Sequence, residues 1–245
     1  MLASVIGDTR RMSPRSSRTA TWTGRVGVLL VVAGLVLAGY VAWQLFGTNV
    51  ASQRTHASLV EEAEQAWQVA DDDRAGQIDE RDAVPTDHGD LSAIVRIPAL
   101  GDDYAVPVLE GSSDEVLAAG FGHLEDTAGP GERGNYVLAA HRVTHGEPLR
   151  DMPSLDSGDE VIIETGRWVY TYVLDTPGDG LTVPFTGAWV LADLPRNPEP
   201  GGVQPPDREP GQRLITLTTC SELFHTDDRL VAFGHLDSKE PRSAS

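Results

Sequence analysis

A single cysteine, Cys220, occurs in the 245 residues, so no disulfide can close within the chain and no Cys-rich zinc module can assemble, since each needs at least two thiols. Aromatic residues are also scarce, at 6%, and stability has to come from an ordinary aliphatic core. Basic residues are outnumbered 19 to 37, and the resulting net charge of −18 excludes wholesale nucleic-acid binding. The acids are spread along the chain rather than gathered in one loop, which speaks against a calcium site. No internal repeat is apparent. Glycine (25) and proline (16) are plentiful, which indicates many turns and a β-rich architecture rather than a helical bundle.

Charge is unevenly placed. Arg10, Arg11, Arg15, Arg18 and Arg25 face only Asp8 in residues 1–25, and an uncharged stretch follows over 26–46, VGVLLVVAGLVLAGYVAWQLF. As a helix its 21 residues span roughly 31 Å, against a hydrocarbon core of about 30 Å. It is too long for the apolar region of a cleaved signal peptide. Tyr40, Trp43 and Phe46 lie at its far end like an interfacial aromatic belt, and the arginines precede it. The expectation is therefore a cytoplasmic basic tail (1–25), an uncleaved single-pass anchor in the cell membrane (26–46), and an extracytoplasmic remainder.

Residues 47–90 are polar and acidic. Leu59, Val60, Ala63, Ala66, Trp67 and Ala70 recur at helical spacing and predict a short amphipathic helix over 56–73. The rest, through Pro85 and Gly89, lacks periodicity and is expected to act as a spacer. From 91 to 238, eight short apolar runs alternate with turn signals: AIVRIP (93–98), YAVPVL (104–109), NYVLAAH (135–141), DEVIIET (159–165), WVYTYVL (168–174), WVLADL (189–194), RLITLTTC (213–220) and RLVAFGHL (229–236). One helix is expected at DEVLAAG (114–120), a long Pro/Gly-rich surface loop at 195–212, and a polar tail over 239–245. A mainly all-β closed barrel or sandwich fits this pattern.

Cys220 ends the strand LITLTTC, on the face that alternation shares with Thr216 and Thr218 rather than with Ile215 and Leu217. A thiol at a strand end beside threonines is a candidate nucleophile, which needs an acid–base partner and a group to hold the oxyanion. Of seven histidines, His56 and His88 fall in the spacer, leaving His123, His141, His145, His225 and His235. His141 closes the strand NYVLAAH, so its imidazole also belongs at a strand end. Arg229 opens the next strand after a connection (SELFHTDD) of hairpin-like length, which brings it beside the thiol. An alternative for Arg229 is a surface ion pair with Asp227 or Asp228.

T-L-T-T-C (216–220), followed by Arg229 in RLVAFGHL and preceded by A-A-H-R-V-T-H-G-E-P (139–148), resembles the sortases, most of all the actinobacterial class E type and next class D. The resemblance covers roughly residues 93–236, including PGERGNYVLAAHR before the histidine and TVPFTGAWVL (182–191) before the long loop. It implies an eight-stranded sortase-type β-barrel with short helices, anchored outside the membrane. It implies too a cysteine transpeptidase that cuts a C-terminal sorting signal after Thr and joins the acyl group to an amine of a cell-wall precursor or a pilin. Cys220 would be the nucleophile, His141 the general acid and base, and Arg229 the oxyanion stabiliser. Thr218, Thr219, Arg142 and His145 are assigned to substrate contact, and no cofactor or metal is implied. Class E relatives are associated with an L-A-x-T-G-like signal rather than L-P-x-T-G.

The sequence departs from that family pattern in three places. His145 stands where H-R-x-T-Y-G has an aromatic residue, Glu125-Asp126-Thr127 replaces Pro-Gly-Thr, and Ser221 with Glu222 follows the cysteine. A carboxylate near a thiol disfavours the thiolate. Two other readings remain open on sequence alone: a metal site of His141, His145 and Cys220, which Gly146 and Pro148 disfavour because H-x-x-x-H needs a helix, and a non-catalytic, membrane-tethered peptide-binding barrel.

Overall fold

In the computed structural model, residues 18–43, 48–73, 83–202, 204–206, 208–220 and 228–242 are described. Ser221, Glu222, His225 and Asp227, most of the basic tail, Gln44 to Phe46, residues 74–82 and residues 243–245 lie outside them.

The chain divides into two compact units, 1–44 and 45–245. In the first, helix α1 (Arg18–Ala42) exposes its apolar side chains, among them Val28, Leu29, Leu35 and Leu37. The membrane span expected over 26–46 overlaps this helix and runs past its end. Among the described residues no helix is long and apolar enough to cross a membrane.

The second unit is a closed barrel. Ten strands are described: β1 (Val84–Thr86), β2 (Gly89–Arg96), β3 (Val106–Glu110), β4 (Phe121–His123), β5 (Gly134–Ala139), β6 (Glu160–Glu164), β7 (Trp168–Leu174), β8 (Thr182–Pro184), β9 (Arg213–Cys220) and β10 (Asp228–Pro241). Eight of them form a ring in the order β2-β3-β4-β5-β9-β10-β7-β6, which closes because β6 also pairs with β2. The short strands β1 and β8 lie against β2 and β10. Closure leaves the ring without a free edge. Its interior is filled by Val95, Phe121, Tyr136, Leu138, Ile163, Tyr172, Ile215 and Leu217.

Seven of the eight expected runs become strands of the ring, and RLITLTTC and WVYTYVL do so with the expected bounds. The helix expected at 114–120 is α3 (Asp114–Ala119). Ser113 caps it, accepting a hydrogen bond from the Val116 N–H at 3.3 Å, and Asp114 and Glu115 lie in its first turn. At Gly120 an added Cβ would lie 2.3 Å from the Pro107 carbonyl oxygen, so only glycine lets the chain leave α3 and run parallel to β3 as β4. That strand, Phe-Gly-His, is too short to announce itself by alternation.

Two expectations are corrected. WVLADL (189–194) is not a strand: Ala188–Leu191 is a 3-10 turn. The buried Asn135 side chain donates to the Val190 and Ala192 carbonyls at 2.9 and 3.2 Å, and accepts from the Thr216 hydroxyl at 2.8 Å. Those carbonyls are therefore spent on a side chain rather than a ladder, while Val183 and Val190 pack on Val231 and Phe233.

The region expected as a spacer is, in part, packed on the barrel. Helix α2 runs over Thr48–Asp73, longer than expected, and buries Ser52, His56, Leu59, Ala63 and Trp67 along one face at steps of three and four. Leu59, Ala63 and Trp67 join Leu91, Ile94, Leu109, Val116 and Ala119 in a second core. Arg96 on β2 bridges Glu64 of α2 and Glu164 of β6, each at 2.9 Å, and the Arg242 guanidinium lies 5.1 Å from the centre of the Trp67 ring.

Candidate active site

The strand register pairs Arg229 with Cys220 and leads the chain toward His141 beside the end of β9. β5 and β9 run parallel with Ala139 opposite Thr218, and the pairing continues one step further, where the Ala140 N–H donates to the Thr218 carbonyl at 3.2 Å. The Thr219 hydroxyl donates to the Ala140 carbonyl at 2.7 Å, locking the two strand ends together. Cys220 is the last residue of β9, and His141, expected to close its strand, lies two residues past the end of β5. On the other side, β10 runs antiparallel to β9 with Arg229 directly opposite Cys220, a pairing in which Cα atoms are about 5 Å apart. The end of β9 at Cys220 thus has Arg229 of β10 opposite it on one side and, on the other, the segment that leaves β5 and carries His141 two residues past its end.

His141 is half-buried and its ring lies against that of His145, with centroids 4.8 Å apart and planes at 31°. Burial holds its pKa below the usual histidine value, nearby His145 pushes it the same way, and Asp114 at the start of α3 opposes both. The neutral imidazole is therefore favoured. Arg229 stacks its guanidinium over the exposed Phe185 ring at 4.7 Å and donates to the Asp228 backbone carbonyl at 3.3 Å. Phe185 directly follows β8, whose pairing with β10 over Asp228 to Leu230 brings it there.

His123 and His235 are occupied elsewhere. His123 lies between Glu110 (2.7 Å) and the Ala128 carbonyl (3.1 Å), with its ring 4.9 Å from Tyr136, and His235 meets Asp175 at 2.8 Å. Of the residues assigned to substrate contact, Thr219 is buried and uses its hydroxyl within the fold, Thr218 and Arg142 are half-buried beside the strand ends, and His145 packs on His141. Among the described residues no group of three or more His, Cys, Asp or Glu side chains is placed to hold a metal ion.

Sequence reasoning missed His56, assigned to the spacer. It is buried, lies against the loop after His141, and is held down to a pKa of about 4 by burial and by His145. Its only sequence signal was its place on the apolar face of α2, one turn before Leu59 and Val60.

The sortase-domain family profile matches residues 95–237. The chain belongs to the sortase family. Sortase SrtE1 of Streptomyces coelicolor is 33% identical over 225 residues; that match takes in 89% of this chain and 58% of the relative, so the chain spans well under two thirds of its length. Sortase D of Bacillus subtilis is 27% identical over 60% of this chain and 74% of its own, which makes the likeness to class E stronger than that to class D. Among solved structures, sortase E from Streptomyces avermitilis superposes with a TM-score of 0.54 at 38% identity, covering 64% of this chain and 93% of that one. Sortase E1 from Streptomyces coelicolor, solved with a tripeptide in the active site, gives 0.53 at 32% identity, covering 65% and 94%. Sortases are cysteine transpeptidases, and the eight-stranded barrel with short helices is their fold.

Proposed function

We propose that this chain is a membrane-anchored sortase that cleaves a C-terminal LAxTG- or LPxTG-like sorting signal after Thr and transfers the acyl group to an amine, attaching proteins to the cell wall. The uncharged stretch 26–46 behind five arginines supports a single-pass anchor with the N-terminus in the cytoplasm and the barrel outside. A relative that holds a tripeptide in its active site supports a peptide substrate.

The Cys220 thiol passes its proton to neutral His141 and attacks the Thr carbonyl carbon. Arg229 and nearby backbone N–H groups stabilise the oxyanion. Collapse of the tetrahedral intermediate breaks the Thr–Gly C–N bond, His141 returns the proton to the departing amine, and a thioester to Cys220 remains. The acceptor amine loses its proton to His141 as it attacks the thioester, and the proton then restores the thiol. The acceptor is an amine of a cell-wall precursor; polymerisation through a pilin lysine is the variant of the same chemistry.

The observation that supports this reading is the strand register, which pairs Arg229 with Cys220 and brings β5, and past its end His141, beside β9. Its test is a panel of fluorogenic pentapeptides, LAxTG and LPxTG among them, incubated with the purified full-length protein with and without an added amine. Cleavage of at least one, with the amine captured in the product, is expected, and Cys220→Ala should abolish it. Turnover that survives Cys220→Ala removes the proposal.

A further inference from the structure

The loop after His141 has an unusual backbone. His145, Gly146 and Glu147 all have positive φ, at 55°, 82° and 54°, a left-handed run that two non-glycine residues adopt only when surroundings enforce it. Helix α2 supplies the enforcement. Asn49 donates to the Glu147 carboxylate at 2.6 Å and accepts from the Gly146 N–H at 3.2 Å. The buried His56 ring closes over Gly146 so tightly that a Cβ there would lie 2.5 Å from its Cε1. Glu147 also pairs with Arg150, and the Tyr104 hydroxyl donates to the Pro148 carbonyl at 2.8 Å. The loop returns to the site itself, where the Leu149 N–H donates to the His141 carbonyl at 3.1 Å.

We propose that His145 is a positioning residue for the His141 imidazole, and that helix α2 sets it: Asn49 and His56 clamp the left-handed turn, and the turn holds the His145 ring against His141. The inference rests on the reading of His141 as the acid–base group. A short turn is thereby made part of the catalytic apparatus by a helix that belongs to the chain before the barrel. The groups that bear on His141 are His145 from its own loop and Asp114 from α3, with the Cys220–Arg229 strand pair next to the end of β5; His145 bears in turn on His56 of α2. The His145 imidazole opposes protonation of His141, so removing the ionisable ring at 145 while keeping a planar ring there moves the titration of His141 upward.

The test uses the full-length protein and three variants, His145→Phe, Asn49→Ala and His141→Ala. Two readouts are taken: the pH profile of kcat/KM on a cleaved pentapeptide, and the NMR titration of the His141 ring. His145→Phe is expected to move the His141 titration, and the limb of the profile that follows it, to higher pH. Asn49→Ala, which touches no reacting group, is expected to lower kcat about tenfold with KM changed less than about twofold. A His141 titration that stays put in His145→Phe, together with wild-type kcat in Asn49→Ala, overturns the inference. Undiminished turnover in His141→Ala instead overturns the acid–base reading beneath it, and the NMR titration still reports whether the two rings are coupled.

Discussion

Acidification should loosen the α2 clamp through His56. Its folded-state pKa is about 4, against 6.5 for an unperturbed histidine, because burial and His145 disfavour the charged ring. Between these two values the unfolded chain binds a proton that the folded chain refuses, so stability rises with pH across that window. The contribution is complete above about 6.5 and is lost as the pH falls toward 4. At about 1.4 kcal/mol per pKa unit, the loss attributable to this one side chain is about 3 kcal/mol, a large fraction of the 5–15 kcal/mol that holds a typical domain together. His141, also held low, adds to the loss in the same direction. The assay is denaturant unfolding at pH 7 and pH 4, followed through Trp67, which is 2% exposed in the α2 core. Full-length wild type and His56→Gln are compared. The wild type should lose more stability between the two pH values than the variant, by about 3 kcal/mol. Equal losses in the two proteins would refute the assignment of that proton to His56.

Trp67→Ala removes the largest side chain from the α2 core and should cost about 3–5 kcal/mol, read as a lowered Tm with α2 amides exchanging faster in hydrogen-exchange experiments. Gly146→Ala combines a positive φ of 82° with a collision against His56, so it should undock the turn and reduce kcat while leaving the barrel's β-sheet circular dichroism unchanged. Asp175→Asn breaks the ion pair that fastens Arg208, and with it the loop at 195–212, to the barrel; faster limited proteolysis within that loop is the expected outcome, at unchanged cleavage in the strands.

The barrel was legible because its longer strands announce themselves twice, by alternation and by flanking turn residues, as in WVYTYVL and RLITLTTC. The neighbourhood of Cys220 and Arg229 was legible for a related reason: antiparallel pairing sets them opposite each other on β9 and β10, and β5, which runs beside β9, leads to His141 two residues past its end. What escaped was information carried by tertiary contacts. Trp189, Val190 and Leu191 have strand composition, yet Asn135 takes carbonyls of their turn, a partnership across 55 residues that no local pattern reveals. β1 contains a proline and spans three residues, too little for periodicity. The face of α2 was visible as a helical stripe, but what it covers was not, and so His56 and Asn49 read as spacer although they hold the loop that follows His141.

The central claim is a thioester formed at Cys220 with His141 and Arg229 beside it. Intact-protein mass spectrometry of the full-length chain, quenched in acid shortly after mixing with a cleaved sorting-signal peptide and no acceptor amine, tests it most directly. The account predicts an added acyl mass that maps to Cys220, vanishes when an amine is supplied, and fails to accumulate in His141→Ala or Arg229→Ala. Cleavage of the peptide without any adduct on Cys220, or an adduct that forms as fast in both variants as in the wild type, contradicts it.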